Sequence, residues 1–164
     1  MAKYEIENNS LTLFVKRSAL FARIFLLFFI ALFFLAPSFG MFSALANGRA
    51  FHIGFLFGIG LFALMGFYLL RIFLWNTYGK ELIQFNGKTI TYEADYGWFR
   101  DGRKTVDIET VVFSMKQIGF ENENIAVLVI GSGESMIECV TKMTSGELEE
   151  LIGHLKQMDG SSGA

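Results

Sequence analysis

The residues that could do chemistry are few and scattered. The chain has two histidines, His52 and His154, and one cysteine, Cys139. A zinc site takes four Cys or His ligands, and these three residues on different segments do not approach such a set. A Ser-His-Asp arrangement would have to use His154, which sits in a helical pattern beside Leu155. A triad needs its base oriented by a third group, and His154 reads instead as a solvated or half-buried side chain. Gly131-Ser132-Gly133-Glu134-Ser135 has the glycine content of a phosphate cradle. It lies between two β-patterned runs rather than before a helix, so it reads as a hairpin turn. Glu93 and Asp95 fall on one strand face, but a glycosidase-type pair needs a cleft and a raised pKa, so they read as a solvated face. The expectation is a protein with no catalytic residue, no cofactor and no metal, and not an enzyme.

One stretch stands out, Tyr96-Gly97-Trp98-Phe99-Arg100. It fits a hairpin whose aromatics cap a β domain. It also fits a partner-contact loop built on Tyr96, Trp98, Phe99 and Arg100, because aromatics with arginine are enriched at binding hot spots. A third reading has Trp98 and Phe99 dipping into a membrane interface, as amphipathic aromatics do.

The elements that must position this loop begin with Leu20 to Trp75. Ile24 to Gly48 and Ala50 to Leu70 contain no Asp, Glu or Lys, and of Arg only Arg49 falls between them. About 20 predominantly apolar residues cross a hydrocarbon core of roughly 30 Å, and both runs have that length. Two transmembrane helices are expected, over about 20–40 and 51–75. Pro37 is expected to end the first, and Asn47-Gly48 to mark the turn. Gly54 and Gly58 form a Gly-x-x-x-Gly pair that lets another helix approach closely. The expected partner is the first helix, with Ala22, Ala31 and Ala36, and a homo-oligomer is the alternative.

Charge orients the hairpin. Lys3, Lys16, Arg17 and Arg23 precede or open the first span, Arg49 lies between the spans, and Arg71, Lys80 and Lys88 follow. Cations concentrate on the cytoplasmic side, which places both termini in the cytoplasm. Lys16, Arg17, Arg23 and Arg71 are expected as interface anchors, the last two with snorkelling stems. Trp75 and Tyr78 supply the aromatic belt. Through Trp75 the chain has six Lys/Arg and two Glu, a net of +4; from Asn76 on it has eight Lys/Arg and fourteen Asp/Glu, a net of −6. An acidic soluble part argues against nucleic acid, which needs a basic face.

Outside the hairpin the pattern is β. Leu11, Leu13 and Val15 alternate after an Asn8-Asn9 turn signal. Glu81 to Phe85 and Lys88 to Tyr96 flank Asn86-Gly87, the strongest short hairpin signal. Asp101-Gly102 reads as another tight turn. Lys104 to Ile108 leads into a bent strand over Thr110 to Phe120. Glu121 to Asn124 is a polar turn, Ile125 to Ile130 is the best central strand, and Ser135 to Thr141 returns. Thr144 and Glu147 stand in capping-box relation before a helical stripe of Leu148, Leu151, Ile152, Leu155 and Met158. The fold class is α+β: two membrane spans plus a small antiparallel β domain closed by one C-terminal helix. The parts are a β segment at 1–17 that pairs with the later domain, a hairpin at 18–76, the β domain at 77–159 and a polar tail at 160–164.

The order of these elements, with Gly79-Lys80-Glu81-Leu82-Ile83 entering the first strand and the Thr144 to Met158 helix closing the domain, resembles a group of small bacterial inner-membrane proteins. Their cytoplasmic part looks like a pleckstrin-homology-like (PH-like) domain. The resemblance implies a bent antiparallel sheet or barrel capped by one helix, and it brings no catalytic residues. The expected function is a non-enzymatic scaffold in the lipid bilayer of the inner membrane, presenting the PH-like domain to a protein partner. The alternative is a subunit of a larger membrane complex, or a membrane-bound immunity protein, assembling through the glycine-rich second helix.

Overall fold

The computed structural model describes residues 4–7, 9–48, 52–107, 112–119, 124–132 and 135–161, with side chains through 157 except that of Ser132. The chain forms two compact units, one of residues 1–16 and 79–164, the other of residues 17–78.

The β unit starts with a hairpin of β1 (Tyr4–Glu7) and β2 (Ser10–Phe14). Asn9 closes it with φ of 68°, a left-handed conformation that asparagine adopts more readily than most residues, and its side-chain amide donates to Phe85 O at 3.3 Å. The chain then leaves for the helical unit and returns as β3 (Lys80–Asn86), β4 (Thr89–Asp95) and β5 (Arg100–Asp107). These five strands form one antiparallel sheet in the order β1-β2-β3-β4-β5. β2 pairs β3 with Leu11 opposite Ile83 and Leu13 opposite Glu81, so the N-terminal strands and the later ones share a sheet. Asn86-Gly87 turns β3 into β4, with Gly87 at φ of 61°.

A second sheet holds β6 (Phe113–Gln117), β7 (Ile125–Ser132), β8 (Ser135–Glu138) and the short β9 (Met143–Thr144). β7 is central, pairing with β6 on one side and with β8 and β9 on the other. Its residues Ala126 to Ile130 are all buried, as expected of a strand covered on both faces. Helix α3 (Ser145–Ser161) closes the unit. Thr144 Oγ1 and N both donate to Glu147 Oε2, at 2.7 and 3.0 Å, and Glu147 N donates back to Thr144 Oγ1 at 3.4 Å. This reciprocal cap fixes where the helix begins. Leu148, Leu151, Ile152 and Leu155 then bury against the core. That core is shared: Leu11, Leu13, Ile83 and Ile90 come from the first sheet, and Phe113, Leu128, Ile130, Ile137 and Met143 from the second. The Met158 side chain, the Glu121 to Glu123 part of the polar turn, Gly133-Glu134 and the Thr110 start of the bent strand lie outside the described residues, as do Lys3, Asn8 and Arg49.

The other unit is a pair of helices, α1 (Leu20–Ala46) and α2 (Ile53–Tyr78). At 1.5 Å per residue each spans about 40 Å, long and apolar enough to cross a membrane. Their outer faces are apolar and open, with Phe21 79% and Phe57 74% exposed. Both helices end later than expected, at Ala46 and Tyr78. Pro37 does not end α1, which continues to Ala46. Proline removes one N–H from the helix ladder, and the Ser38 hydroxyl donates to Phe34 O at 2.8 Å beside the gap. α1 ends instead at Asn47 and Gly48, whose amides reach Ser43 O and Leu45 O, with Gly48 at φ of 71°.

The helix contact expected at Gly54 and Gly58 falls elsewhere. A Cβ at either position would meet nothing within 4 Å. The close approach is at Gly66, where a Cβ would lie 2.8 Å from the Phe34 ring. The aromatic rings of α1 are large enough to reach α2 at one glycine, so the remaining glycines are not drawn to the seam.

Candidate functional site

Three places collect polar or accessible groups: the turn after β4, the inward end of β3, and the strand β6. At the first, Gly97 takes φ of 86° and its amide donates to Asp95 Oδ1 at 2.7 Å. Tyr96 N donates to Phe99 O at 2.9 Å. This tight reversal stacks the Tyr96 and Phe99 rings, with centroids 4.8 Å apart and planes 12° off parallel. Tyr96 is buried, whereas Trp98 points outward and is 72% exposed. Arg100 lies along the strand, with Nη1 3.5 Å from Glu93 Oε2 and Nε 3.7 Å from Asp95 Oδ2. The four candidate contact residues therefore divide. Tyr96 and Phe99 build the turn, Arg100 spans two carboxylates of β4 while its side chain stays exposed, and Trp98 points outward.

Asp101-Gly102 is not a hairpin turn. Both residues lie inside β5. The pairing slips there, from Tyr92 opposite Lys104 to Ala94 opposite Asp101. Gly102 at φ of 67°, with its amide bonded to Asp101 Oδ1 at 2.7 Å, forms a bulge that twists the edge strand. The chain reverses one turn earlier, at Gly97-Trp98.

The second place was not foreseen. Glu81 is fully buried. It stands on the same strand face as Ile83 and Phe85, an inward position by the period-two rule. Its carboxylate accepts three hydrogen bonds of 2.7 Å, from Tyr92 Oη and Val140 N at Oε1 and from Thr141 N at Oε2. One side chain of the first sheet thus satisfies two backbone amides of the segment leaving β8. Burying a charged group this way is tolerable only with its hydrogen bonds met. The surroundings respond accordingly. The Tyr92 phenol is pushed well above its ordinary range, first by burial and then by the Glu81 charge and hydrogen bond. The Cys139 thiol is also held well above its usual value, by burial and then by Glu81 and Glu138. A thiol so held is a poor nucleophile. The sequence signal was available: a glutamate at an inward position of an alternating strand.

The third place is an edge. The first sheet has two outer strands, and the second has β6 on one side of β7 and β8 with the two-residue β9 on the other. β1 carries Glu5 and Glu7, and β5 carries Arg100, Asp101, Arg103 and Lys104 with a bulge; charge and bulges are the usual means of blunting an edge. β8 is approached by β5, whose Lys104 Nζ donates to Met136 O. β6 is different. Ser114, Met115, Lys116 and Gln117 are all exposed, and no other strand among the described residues pairs with its outer side. Gly131 N bonds to Val112 O and Ile118 N to Ile125 O. Backbone groups alternate in direction along a strand, so residues 112, 114, 116 and 118 bond to β7, and 113, 115 and 117 turn their N–H and C=O outward.

The expected anchors lie as follows. Lys16, Arg17 and Tyr78 are exposed, and Arg23, Arg71 and Trp75 are half-buried. His154 Nδ1 lies 3.4 Å from Tyr4 Oη on the surface of the β unit, and His52 precedes α2. Among the described residues no three His, Cys, Asp or Glu side chains come together as a metal set. In comparisons with known proteins, the chain matches no family model, no curated protein and no solved structure.

Proposed function

We propose that this chain is a non-enzymatic protein of the bacterial inner membrane. In this reading α1 and α2 span the bilayer, both termini are cytoplasmic, and the β unit is a PH-like domain that offers the outer side of β6 to an extended segment of a protein partner. Two antiparallel sheets sharing a core closed by a C-terminal helix support the PH-like reading. The placement of Lys16, Arg17, Arg23 and Arg71 supports the orientation. The observation that carries the binding mode is β6 itself: an edge with three outward backbone positions and one charged residue, Lys116. Added strands draw affinity from main-chain hydrogen bonds, and no catalytic chemistry is required.

The test is a proline variant of the full chain, with co-purification from native membranes as readout. Met115→Pro removes an outward N–H and leaves the β7 ladder whole. Proline is tolerated on edge strands in that orientation. Loss of a partner that wild type retains supports the reading. Retention of every partner by Met115→Pro contradicts it.

A second reading has its own observation. Gly54, Gly58 and Gly60 all face open space rather than α1, which suits a subunit of a larger membrane complex, or a membrane-bound immunity protein, packing through α2. Replacing Gly58 by Leu, followed by sizing in detergent, separates the two readings: the complex-subunit reading requires the assembly to fall apart, and the edge reading requires it to persist.

A further inference from the structure

The hairpin unit has a charge imbalance. No Asp or Glu occurs between Glu7 and Glu81, while Arg17, Arg23, Arg49 and Arg71 all fall in that interval. One of these cations is turned inward. Arg23 lies seven residues before Ile30 and twenty-one before Ala44, on one face at two turns per seven residues. Ile30 and Ala44 are the buried residues of α1, so Arg23 belongs to the seam that faces α2. Its Nε is fully enclosed and makes no hydrogen bond.

Two more polar atoms at the same end share that condition. Ser18 N donates to Asn76 O at 3.1 Å, closing the base of the hairpin and setting Ser18 beside Thr77. The hydroxyls of Ser18 and Thr77 are enclosed and unbonded. Enclosed donors without acceptors are uncommon in folded proteins, and each calls for a specific partner. Here the unmet groups are a guanidinium N–H and two hydroxyls, with the exposed Arg17 adjoining. A phosphodiester anion supplies what they lack, a negative charge and several acceptor oxygens. The adjoining surface of α1 is apolar, with Leu20 65%, Phe21 79% and Ile24 57% exposed. A phosphate delivered on a lipid would lay its acyl chains there.

We infer that the base of the hairpin, built from Ser18, Arg23 and Thr77 with Arg17 at its rim, is a binding site for the phosphate of an anionic phospholipid headgroup. This rests on the membrane reading above.

The test uses the full chain in discs of equal phosphatidylglycerol and phosphatidylcholine, released into mild detergent and weighed intact by native mass spectrometry. Wild type should retain phosphatidylglycerol over phosphatidylcholine. Arg23→Gln should lower that preference about fivefold, the effect of one cation at an anionic surface. Arg23→Lys should keep part of it, Ser18→Ala with Thr77→Val should weaken it, and the charge-matched Arg103→Gln in β5 should leave it unchanged. Equal retention of both lipids by wild type, or full preference in Arg23→Gln, overturns the site. Displacement of phosphatidylglycerol by excess inorganic phosphate overturns the lipid as its source. Alkaline carbonate washing of native membranes separates this from the membrane reading: wild type washed off the bilayer would refute the reading itself, whereas a chain that stays embedded without lipid preference would refute the site alone.

Discussion

β3 and β6 belong to one β unit and are of similar length, yet they dispose of their polar groups in opposite ways. β3 carries the residue that looks most like chemistry, a buried carboxylate with a tyrosine and a cysteine nearby. Every one of its near partners turns inward: Tyr92, Val140 and Thr141 saturate Glu81 at 2.7 Å each. β6 carries no residue with a chemical signature. Its sequence is Phe-Ser-Met-Lys-Gln, and what it offers is backbone. The contrast separates two meanings of a polar group. Where hydrogen bonds close on themselves, the group holds the fold. Where they stop at the surface, the group is free to take a partner.

The largest effect expected is at Glu81. Glu81→Ala leaves the amides of Val140 and Thr141 buried without an acceptor, at about 1–3 kcal/mol each. Chemical denaturation of the full chain should show a loss of roughly 3 kcal/mol or more. Glu81→Gln keeps an acceptor oxygen and should cost clearly less. A neutral Glu81→Ala would mean that the carboxylate is not structural, which would reopen β3 as a site.

Next in size is an alkaline effect from the same cluster. Cys139 and Tyr92 both have folded-state values raised above their ordinary ones. For an acid raised in this way the unfolded chain loses its proton first. Stability is then complete below the ordinary value, about 8.5 for a thiol, and falls above it by up to about 1.4 kcal/mol per pH unit. The fall should begin near that pH, steepen beyond about 10 as tyrosine joins, and lose its first phase in Cys139→Ala. A flat profile to pH 10 would contradict the burial of Cys139 beside Glu81.

The smallest effect is at Trp98. Its 72% exposure means that Trp98→Ala should change stability by no more than about 0.5 kcal/mol. Phe99→Ala, which unstacks Tyr96, should cost more. Equal losses would return Trp98 to the role of a cap and remove it from the exposed surface.

Much of this fold was legible where the signal is local. Leu11 and Leu13 alternate and are both fully buried. Asn86-Gly87 turns a hairpin, Ile125 to Ile130 is the central strand of its sheet, and Thr144 with Glu147 opens α3. The failures have physical causes. Pro37 was expected to end a helix, and an apolar helix absorbs it with the Ser38 hydroxyl beside the gap. Asp101-Gly102 has the composition of a turn, and a β-bulge uses the same left-handed glycine. The open side of β6 could not be read at all, since an edge is defined by sheet order. Nor could the acceptor role of Glu81, whose amide partners lie 59 and 60 residues along the chain.

The most direct measurement of the open edge is amide hydrogen exchange on the isolated full chain in a lipid disc. The amides of Ser114, Lys116 and Ile118 bond to β7, and those of Met115 and Gln117 face outward. An open edge requires alternation, with 115 and 117 exchanging fast and 114, 116 and 118 slowly. Slow exchange at 115 and 117 in the chain alone would show that the edge is already covered, and the account of β6 as the binding strand would be wrong.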